Sequence, residues 1–190
     1  MPQLPTAEGG ITLAEHHLAI TLADCARFRT FATGIPASQQ SATDRALALD
    51  RIYIDDLPEP PNDQDSYTRD QIVGLRPFAI LTTDARAGYS RARIATGSYA
   101  EAGKLFLILE ENVPENLADD VALLERHFKN TLGTILNELL ALAYTAPAAD
   151  SQYLAIDLIT FHGPFRCRED EATGEGDHHW ASFEIQHGVG

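Results

Sequence analysis

The sequence predicts an α+β fold, in which one long helix and several N-terminal helices pack on a mostly antiparallel β-sheet. Three observations support this prediction. Hydrophobic residues make up 44% of the 190 residues, a fraction typical of globular proteins. Helix-type and strand-type hydrophobic patterns occupy separate blocks of the chain. One apolar stripe, longer than the other helical patterns, lies between two blocks of strands.

The region 12–50 is predicted to be helical. Thr12 and Glu15 have the spacing of a capping box, so a helix is expected to begin there. Ser41 and Asp44 repeat that spacing and predict a second, shorter helix. The apolar positions of the first helix keep helical spacing without a break: Leu18, Leu22, Cys25, Phe28 and Ala32.

The sheet is predicted from alternating and apolar runs in the second half of the chain. Residues 51–57 read as a strand, and residues 77–110 read as a three-stranded meander. The third of its strands is expected to be central and covered on both faces, because leucines alternate there with Phe106 and Ile108. The strands of the meander are 77–82, 89–96 and 104–110, with a turn at 97–103 between the last two.

A C-terminal hairpin is predicted from two strand-like runs, 153–162 and 180–187, which flank a charged linker. A hairpin with a long polar loop is typical of a protein that adds strands and loops to its neighbours. It is not typical of a protein that encloses a pocket.

The longest helix is predicted over residues 117–144, which would span about 40 Å. Gly133 costs about 1 kcal/mol inside a helix relative to alanine, and close packing against the sheet is the expected reason for it. The apolar stripe of this helix consists of Leu117, Val121, Leu124, Phe128, Leu132, Ile135, Leu139 and Leu142.

The length predicts a single domain, residues 1–190. Its parts are an N-terminal arm (1–11), the helical N-terminal region (12–50), and a core of sheet plus long helix (51–190) with loops at 58–68 and 166–179. Cys25 and Cys167 lie far apart in the sequence and are expected to be free thiols.

The net charge of −14, from 28 acidic and 14 basic residues, argues against a protein that grips nucleic acid by its phosphates. Arg91 and Arg93 are expected to pair with carboxylates within or between subunits. The carboxylates in the two loops are expected to be solvated, because loops rich in proline, glycine and serine hold acid–base groups poorly.

No motif of nucleophilic catalysis, dinucleotide binding or phosphate binding occurs in the sequence. His178 and His179 are neighbours in a predicted strand, so their side chains should point to opposite faces and not converge on one metal ion. The chain is therefore expected not to be an enzyme and to need no cofactor or metal.

Several segments together resemble proteins encoded in the structural modules of tailed phages and prophages. The order of elements is similar to that of tail terminator (tail completion) proteins: an N-terminal helix, strands, a long helix and a final strand pair. The segments that carry the resemblance are residues 22–31, 76–81, 92–97, 103–111, 128–139 and 180–188.

This resemblance implies a homohexameric ring that caps the tail tube and joins it to the neck, with no catalytic residues. The implied partners are copies of the chain, the tail tube protein and a neck or connector protein. DNA would pass through without specific binding, no membrane would be involved, and the protein would be made in the host cytoplasm and reside in the virion.

The two loops supply the expected contact residues. Both are longer and more polar than simple connectors require. Asp55, Asp56, Asp63 and Asp65 are expected to give the lumen an acidic surface that repels DNA. The expected inter-subunit or inter-ring contact residues are Pro60, Asp63, Asp65, Arg166, Glu169, Asp170, Glu175 and Asp177.

Three other functions stay open at the level of sequence. The first is another neck component, such as a stopper or head completion protein. The second is a tail-assembly chaperone or another factor that is absent from the virion. The third is a small hydrolase that uses clustered acids, which would require a deep pocket with converging carboxylates.

Overall fold

The computed structural model describes residues 10–83, 90–95, 98–144, 156–168 and 177–189. Within these ranges the chain forms the predicted α+β fold: five α-helices and a six-stranded, mostly antiparallel sheet. The helices are α1 (Gly10–Asp24), α2 (Ala26–Thr33), α3 (Ala42–Leu49), α4 (Arg69–Leu75) and α5 (Val121–Tyr144). The strands are β1 (Ile52–Ile54), β2 (Phe78–Thr82), β3 (Ser90–Ala95), β4 (Ser98–Asn112), β5 (Ile156–Cys167) and β6 (His178–Val189).

The single N-terminal helix predicted from the apolar spacing is in fact two helices, α1 and α2. Cys25, between them, has an extended backbone with ψ of 116°. The backbone N–H groups of Ala26 and Arg27 donate to the Glu138 carboxylate of α5 at 2.9 and 2.8 Å. This carboxylate satisfies N–H groups that an unbroken helix would have bonded internally, so a tertiary contact accompanies the break.

The helix start predicted at Ser41 is confirmed, whereas the start predicted at Thr12 is wrong, because α1 already begins at Gly10. Ser41 and Asp44 form the predicted capping box of α3, with the Ser41 N–H donating to Asp44 Oδ2 at 2.6 Å. Gly34 ends α2 in the left-handed conformation, at φ 74°, which glycine adopts without a Cβ penalty.

The strand order is β1-β2-β4-β6-β5, with β1 parallel to β2 and the other pairs antiparallel. The predicted meander is wrong, because β2 does not pair with β3. Both strands pair with β4, β2 along residues 106–110 and β3 along residues 98–102. The predicted turn at 97–103 is also wrong, since β4 begins at Ser98 and continues through that segment.

The strand β4 is central, and it is fully covered on one face and only partly covered on the other. Leu105, Leu107 and Leu109 are fully buried beneath the helices, whereas Phe106 and Ile108 on the opposite face are half-buried. The prediction of cover on both faces is therefore wrong. The helices α1 and α5 pack on the leucine face of the sheet, through contacts of α1 with β2 and β4 and of α5 with β5.

The long helix begins later than predicted, at Val121, after a short 3₁₀ turn at Glu115–Leu117. Its predicted stripe is buried over five positions: Leu124, Phe128, Leu132, Ile135 and Leu139. Gly133 is not a site of close packing, because a Cβ atom placed there would meet nothing within 4 Å. That interpretation of the glycine is wrong.

Candidate interaction surface

The strand β5 forms one edge of the sheet, and it is the most apolar exposed element that the structure describes. It follows β6 in the strand order, and no described strand pairs with its outer side. Leu158, Phe161 and Phe165 on this strand are 50%, 42% and 43% exposed. Unpaired backbone groups beside exposed apolar side chains make such an edge a template for another strand.

The pairing of β5 with β6 fixes which side chains share a face. Ile159 and Phe161 lie opposite Ile185 and Phe183, on the face that the helices cover. The Phe161 and Phe183 rings are 5.3 Å apart, so one side of the Phe161 ring is packed while the other side faces solvent. The edge therefore exposes apolar surface that continues directly into the core.

Two irregularities interrupt β5. The register with β6 shifts between Ile156 and Leu158 and again between His162 and Phe165, where Gly163 has φ of 115°. Pro164 lacks a backbone N–H and so cannot donate to an added strand. The segment 158–162 is consequently the part of the edge best suited to further pairing.

The face of the sheet opposite the helices carries a second, more mixed surface. Trp180 stacks on Phe165 with ring centroids 4.4 Å apart, and Lys104 forms a salt bridge of 2.6 Å with Glu184. Because Phe106 and Ile108 are half-buried between these groups, this face combines apolar area with paired charges. That combination is typical of a surface that another protein subunit can cover.

A row of ionisable side chains crosses the sheet at the end of the β5–β6 hairpin. Glu111, His179 and Arg166 lie opposite one another on β4, β6 and β5, on the helix-covered face. His179 is 1% exposed, and its ring stacks on Phe128 of α5 at 5.0 Å. Among the described residues, Glu111 Oε1, His179 Nδ1 and Arg166 Nε have no hydrogen-bond partner.

The electrostatics of this row follow from its burial. Burial raises the pKa of Glu111 to about 7, and burial together with the charge of Arg166 lowers the pKa of His179. Both shifts favour the neutral forms, and the distance of 4.0 Å between Glu111 Oε1 and His179 Nδ1 is too long for a hydrogen bond. Below a pH of about 7 Glu111 is therefore mostly neutral and does not form an ion pair with His179.

The loop predicted at 166–179 is shorter at both ends than its sequence suggests. Arg166 and Cys167 belong to β5, and His178 and His179 belong to β6, on opposite faces of the strand as predicted. Of the expected contact residues, Arg166 and Asp177 are brought together, with Arg166 Nη2 2.7 Å from Asp177 Oδ2. The other expected contact residues of this loop, Glu169, Asp170 and Glu175, lie outside the described residues.

The loop 58–68 lies on the opposite side of the sheet, after β1. Pro60 is half-buried, Asp55, Asp56 and Asp65 are exposed, and the side chain of Asp63 lies outside the described part of the structure. The strand order separates β1 from β5 by three strands. Arg91 and Arg93 lie on β3, and their side chains also fall outside what the structure describes.

A surface pocket of about 580 Å³ lies between α2, α3, β1 and α4. Its lining combines Ile35, Leu47, Tyr53 and Leu75 with the charged residue Arg51. The Arg51 guanidinium donates to the backbone carbonyl oxygens of Gly74 and Leu75, at 3.2 and 2.5 Å. Its charge thus stabilises the C-terminal end of α4, where carbonyl groups lack helical partners.

Neither a metal site nor a membrane-spanning helix occurs among the described residues. No group of three or more His, Cys, Asp and Glu side chains there could hold a metal ion. Across the same residues, every helix is too short or too polar to cross a membrane.

Comparison with protein-family models finds no match, and comparison with curated proteins finds none either.

Proposed function

We propose that this chain is a structural subunit of the tailed-phage virion, located at the head–tail junction, and that it is the tail terminator. In this function, copies of the chain form a ring that caps the tail tube and joins it to the neck. The observation that carries the proposal is the long edge strand β5, with its three exposed large apolar side chains. The order of elements that resembles tail terminators supports it further.

A ring subunit requires surfaces that adjacent copies can cover. A cyclic ring uses head-to-tail contacts, in which one patch of each copy meets a different patch of the next. The edge of β5 supplies one such patch, and the open face of the sheet, with Phe106, Ile108 and Trp180, supplies another. Both surfaces lie on rigid strands, which favours assembly with little loss of conformational freedom.

The surplus of acidic residues suits a conduit for DNA. A surface of like charge repels the phosphate backbone and keeps the genome from adhering during passage. Asp55, Asp56 and Asp65 are exposed on the segment after β1, away from the β5 edge, so charge and assembly contacts use different parts of the subunit.

The test is to mix the purified chain with tail tubes that lack a terminator and to image the tube ends by electron microscopy. We expect ring-shaped density at one end of each tube, with a mass that corresponds to several copies. A chain that stays at its free mass and never joins a tube end would exclude the terminator function. Absence of the chain from purified particles would instead favour a non-virion assembly factor.

A further inference from the structure

We propose that the free protein is a two-fold symmetric dimer, in which β5 pairs antiparallel with β5 of a second copy. This inference deepens the proposed function and rests on it in one respect, that β5 is an assembly surface. It adds the identity of the partner that covers β5 before assembly. The pairing segment is residues 158–162, between the two irregularities of β5.

The sequence of this segment is self-complementary when it is paired about Thr160. In that register Ile159 faces Phe161 of the other copy, and this apolar pair occurs twice. Leu158 then faces His162, and Thr160 faces its own counterpart. Apolar pairs of this kind, directly opposite in an antiparallel sheet, contribute roughly 0.2–1 kcal/mol each relative to alanine.

Other registers are less favourable. A shift that centres the pairing on Ile159 places Asp157 opposite Phe161, and a shift that centres it on Phe161 places Leu158 opposite Pro164, which cannot donate. Pairing about Thr160 avoids both.

The charge of the chain points to the same segment. With a net charge of −14, two copies repel each other over most of their surfaces. Residues 158–162 contain no carboxylate, so this edge is a place where two copies can approach with little repulsion. A two-fold axis through Thr160, perpendicular to the sheet, also keeps the helices of both copies on the same face.

The dimer would control when the ring forms. A two-fold contact closes at two copies, whereas a cyclic ring needs head-to-tail contacts. Pairing of β5 with β5 would therefore mask the edge in the free protein and would have to open at the tube end. The edge that assembles the ring is thus protected from pairing elsewhere.

The first test measures mass by light scattering after gel filtration. We expect the wild type near twice the 20.8 kDa of one chain, and Leu158→Lys near one chain mass, because lysine on an edge strand opposes pairing. The control is Leu47→Lys, the same change at a leucine of similar exposure (47% against 50%) on α3. It should remain a dimer. A monomeric wild type overturns the proposal.

The second test reads the register by disulfide formation in a Cys167→Ser background. Cys25 is fully buried, and burial raises the pKa of its thiol well above its ordinary range, so it stays unreactive. Thr160→Cys should cross-link, because opposite residues lie about 4.5–5.5 Å apart between Cα atoms, within the range a disulfide requires. His162→Cys, equally exposed, should not, since its counterpart is displaced by about 14 Å along the strand. Equal cross-linking of both variants, or of neither, overturns the register.

The cross-linked Thr160→Cys dimer also separates this inference from the proposed function. We expect the oxidised dimer not to cap tail tubes, and reduction of its disulfide to restore capping. If the oxidised dimer caps tubes as well as the reduced protein, β5 is not the edge used in the ring and the masking is refuted. If a monomeric wild type caps tubes, the dimer is refuted while the terminator function stands.

Discussion

At the scale of single residues, the row of Glu111, His179 and Arg166 is the most unusual chemistry in the described part of the chain. Buried ionisable groups are costly unless they are paired, and proteins often neutralise them instead. Other charged or titratable groups act on His179 from α5 and β6, namely Glu125, His127 and His178. In this row His179 stacks on Phe128 of α5, and Arg166 forms a salt bridge with Asp177 at the end of the β5–β6 hairpin. The protonation of the row therefore affects the stability of the fold.

Replacement of Glu111 by glutamine tests the titration of the row. The pKa of Glu111 is raised from 4.5 to about 7, so the folded protein keeps a proton that the unfolded chain releases. Its contribution is complete below pH 4.5 and is lost as the pH rises to about 7. Relative to wild type, Glu111→Gln should gain about 3 kcal/mol over this range, measured by urea unfolding.

His179 titrates in the opposite direction, and the comparison of the two proteins removes its effect. Its pKa is lowered from 6.5, so its contribution is present above pH 6.5 and is lost at lower pH in both proteins. Parallel stability curves for the variant and the wild type would contradict the assignment of a buried, neutral Glu111.

At the scale of elements, the start of α2 depends on a residue more than one hundred positions away. The Glu138 carboxylate accepts from the N–H groups of Ala26 and Arg27, where a local capping side chain would ordinarily do so. The negative charge also lies at the positive end of the helix dipole. The contact therefore couples the N-terminal helices to α5.

Removal of this cap by Glu138→Ala should lower the free energy of unfolding by about 1–2 kcal/mol, the usual cost of a lost N-cap. The matched control is Glu125→Ala on the same helix, because Glu125 is exposed and forms only a long salt bridge of 3.5 Å with the exposed Lys129. An exposed pair of this kind contributes about 0.3–0.5 kcal/mol. Chemical denaturation measures both, and an equal effect of the two changes would refute the capping role.

Two glycines should respond oppositely to alanine. Gly133→Ala should stabilise the protein by about 1 kcal/mol, because a Cβ there meets open space and alanine favours a helix. Gly34→Ala should destabilise it, since Gly34 ends α2 at φ 74°. Thermal unfolding of the pair decides this, and a loss of stability in Gly133→Ala would show that the site is more crowded than the structure indicates.

Local sequence patterns predicted most helices and strands. They could not predict the helix break and the strand pairing that depend on residues far apart in the sequence. The capping box at Ser41 and the apolar stripe of α5 are local; the first is confirmed, and the second is confirmed from Leu124 to Leu139, whereas Val121 is exposed. The break at Cys25 depends on Glu138, and the shared edge of β4 depends on which strands meet in space. The contact residues expected in the two polar loops stay a prediction. The exposed edge of β5 is an additional surface that the sequence could not locate, because alternation shows a strand but not its position in the sheet.

At the scale of the whole molecule, an exposed apolar edge is combined with a strongly acidic composition. Exposed edges usually invite unwanted pairing, and charge is a common protection. Residues 158–162 themselves contain no carboxylate, so repulsion between copies is weaker at that edge than elsewhere. The fit between β5 edges would then determine how copies pair. Repulsion by the acidic residues would keep the other surfaces of two copies apart and would also keep DNA from adhering.

A further prediction concerns the acidic segment that follows β1. Replacement of Asp55, Asp56, Asp63 and Asp65 by asparagine removes four negative charges from the segment after β1. We expect particles that assemble normally but deliver DNA poorly, because phosphates would no longer be repelled there. Infectivity and particle counts measure the two steps separately, and unchanged infectivity would count against a lumen position for this segment.

Imaging of tail tube ends with wild type and with Leu158→Lys shows whether the chain functions by pairing its exposed edge within an assembly. We expect a closed ring of wild-type copies at the tube end and bare ends with the lysine variant, while Leu47→Lys should cap as the wild type does. Rings of Leu158→Lys equal in number to those of the wild type would contradict this edge pairing.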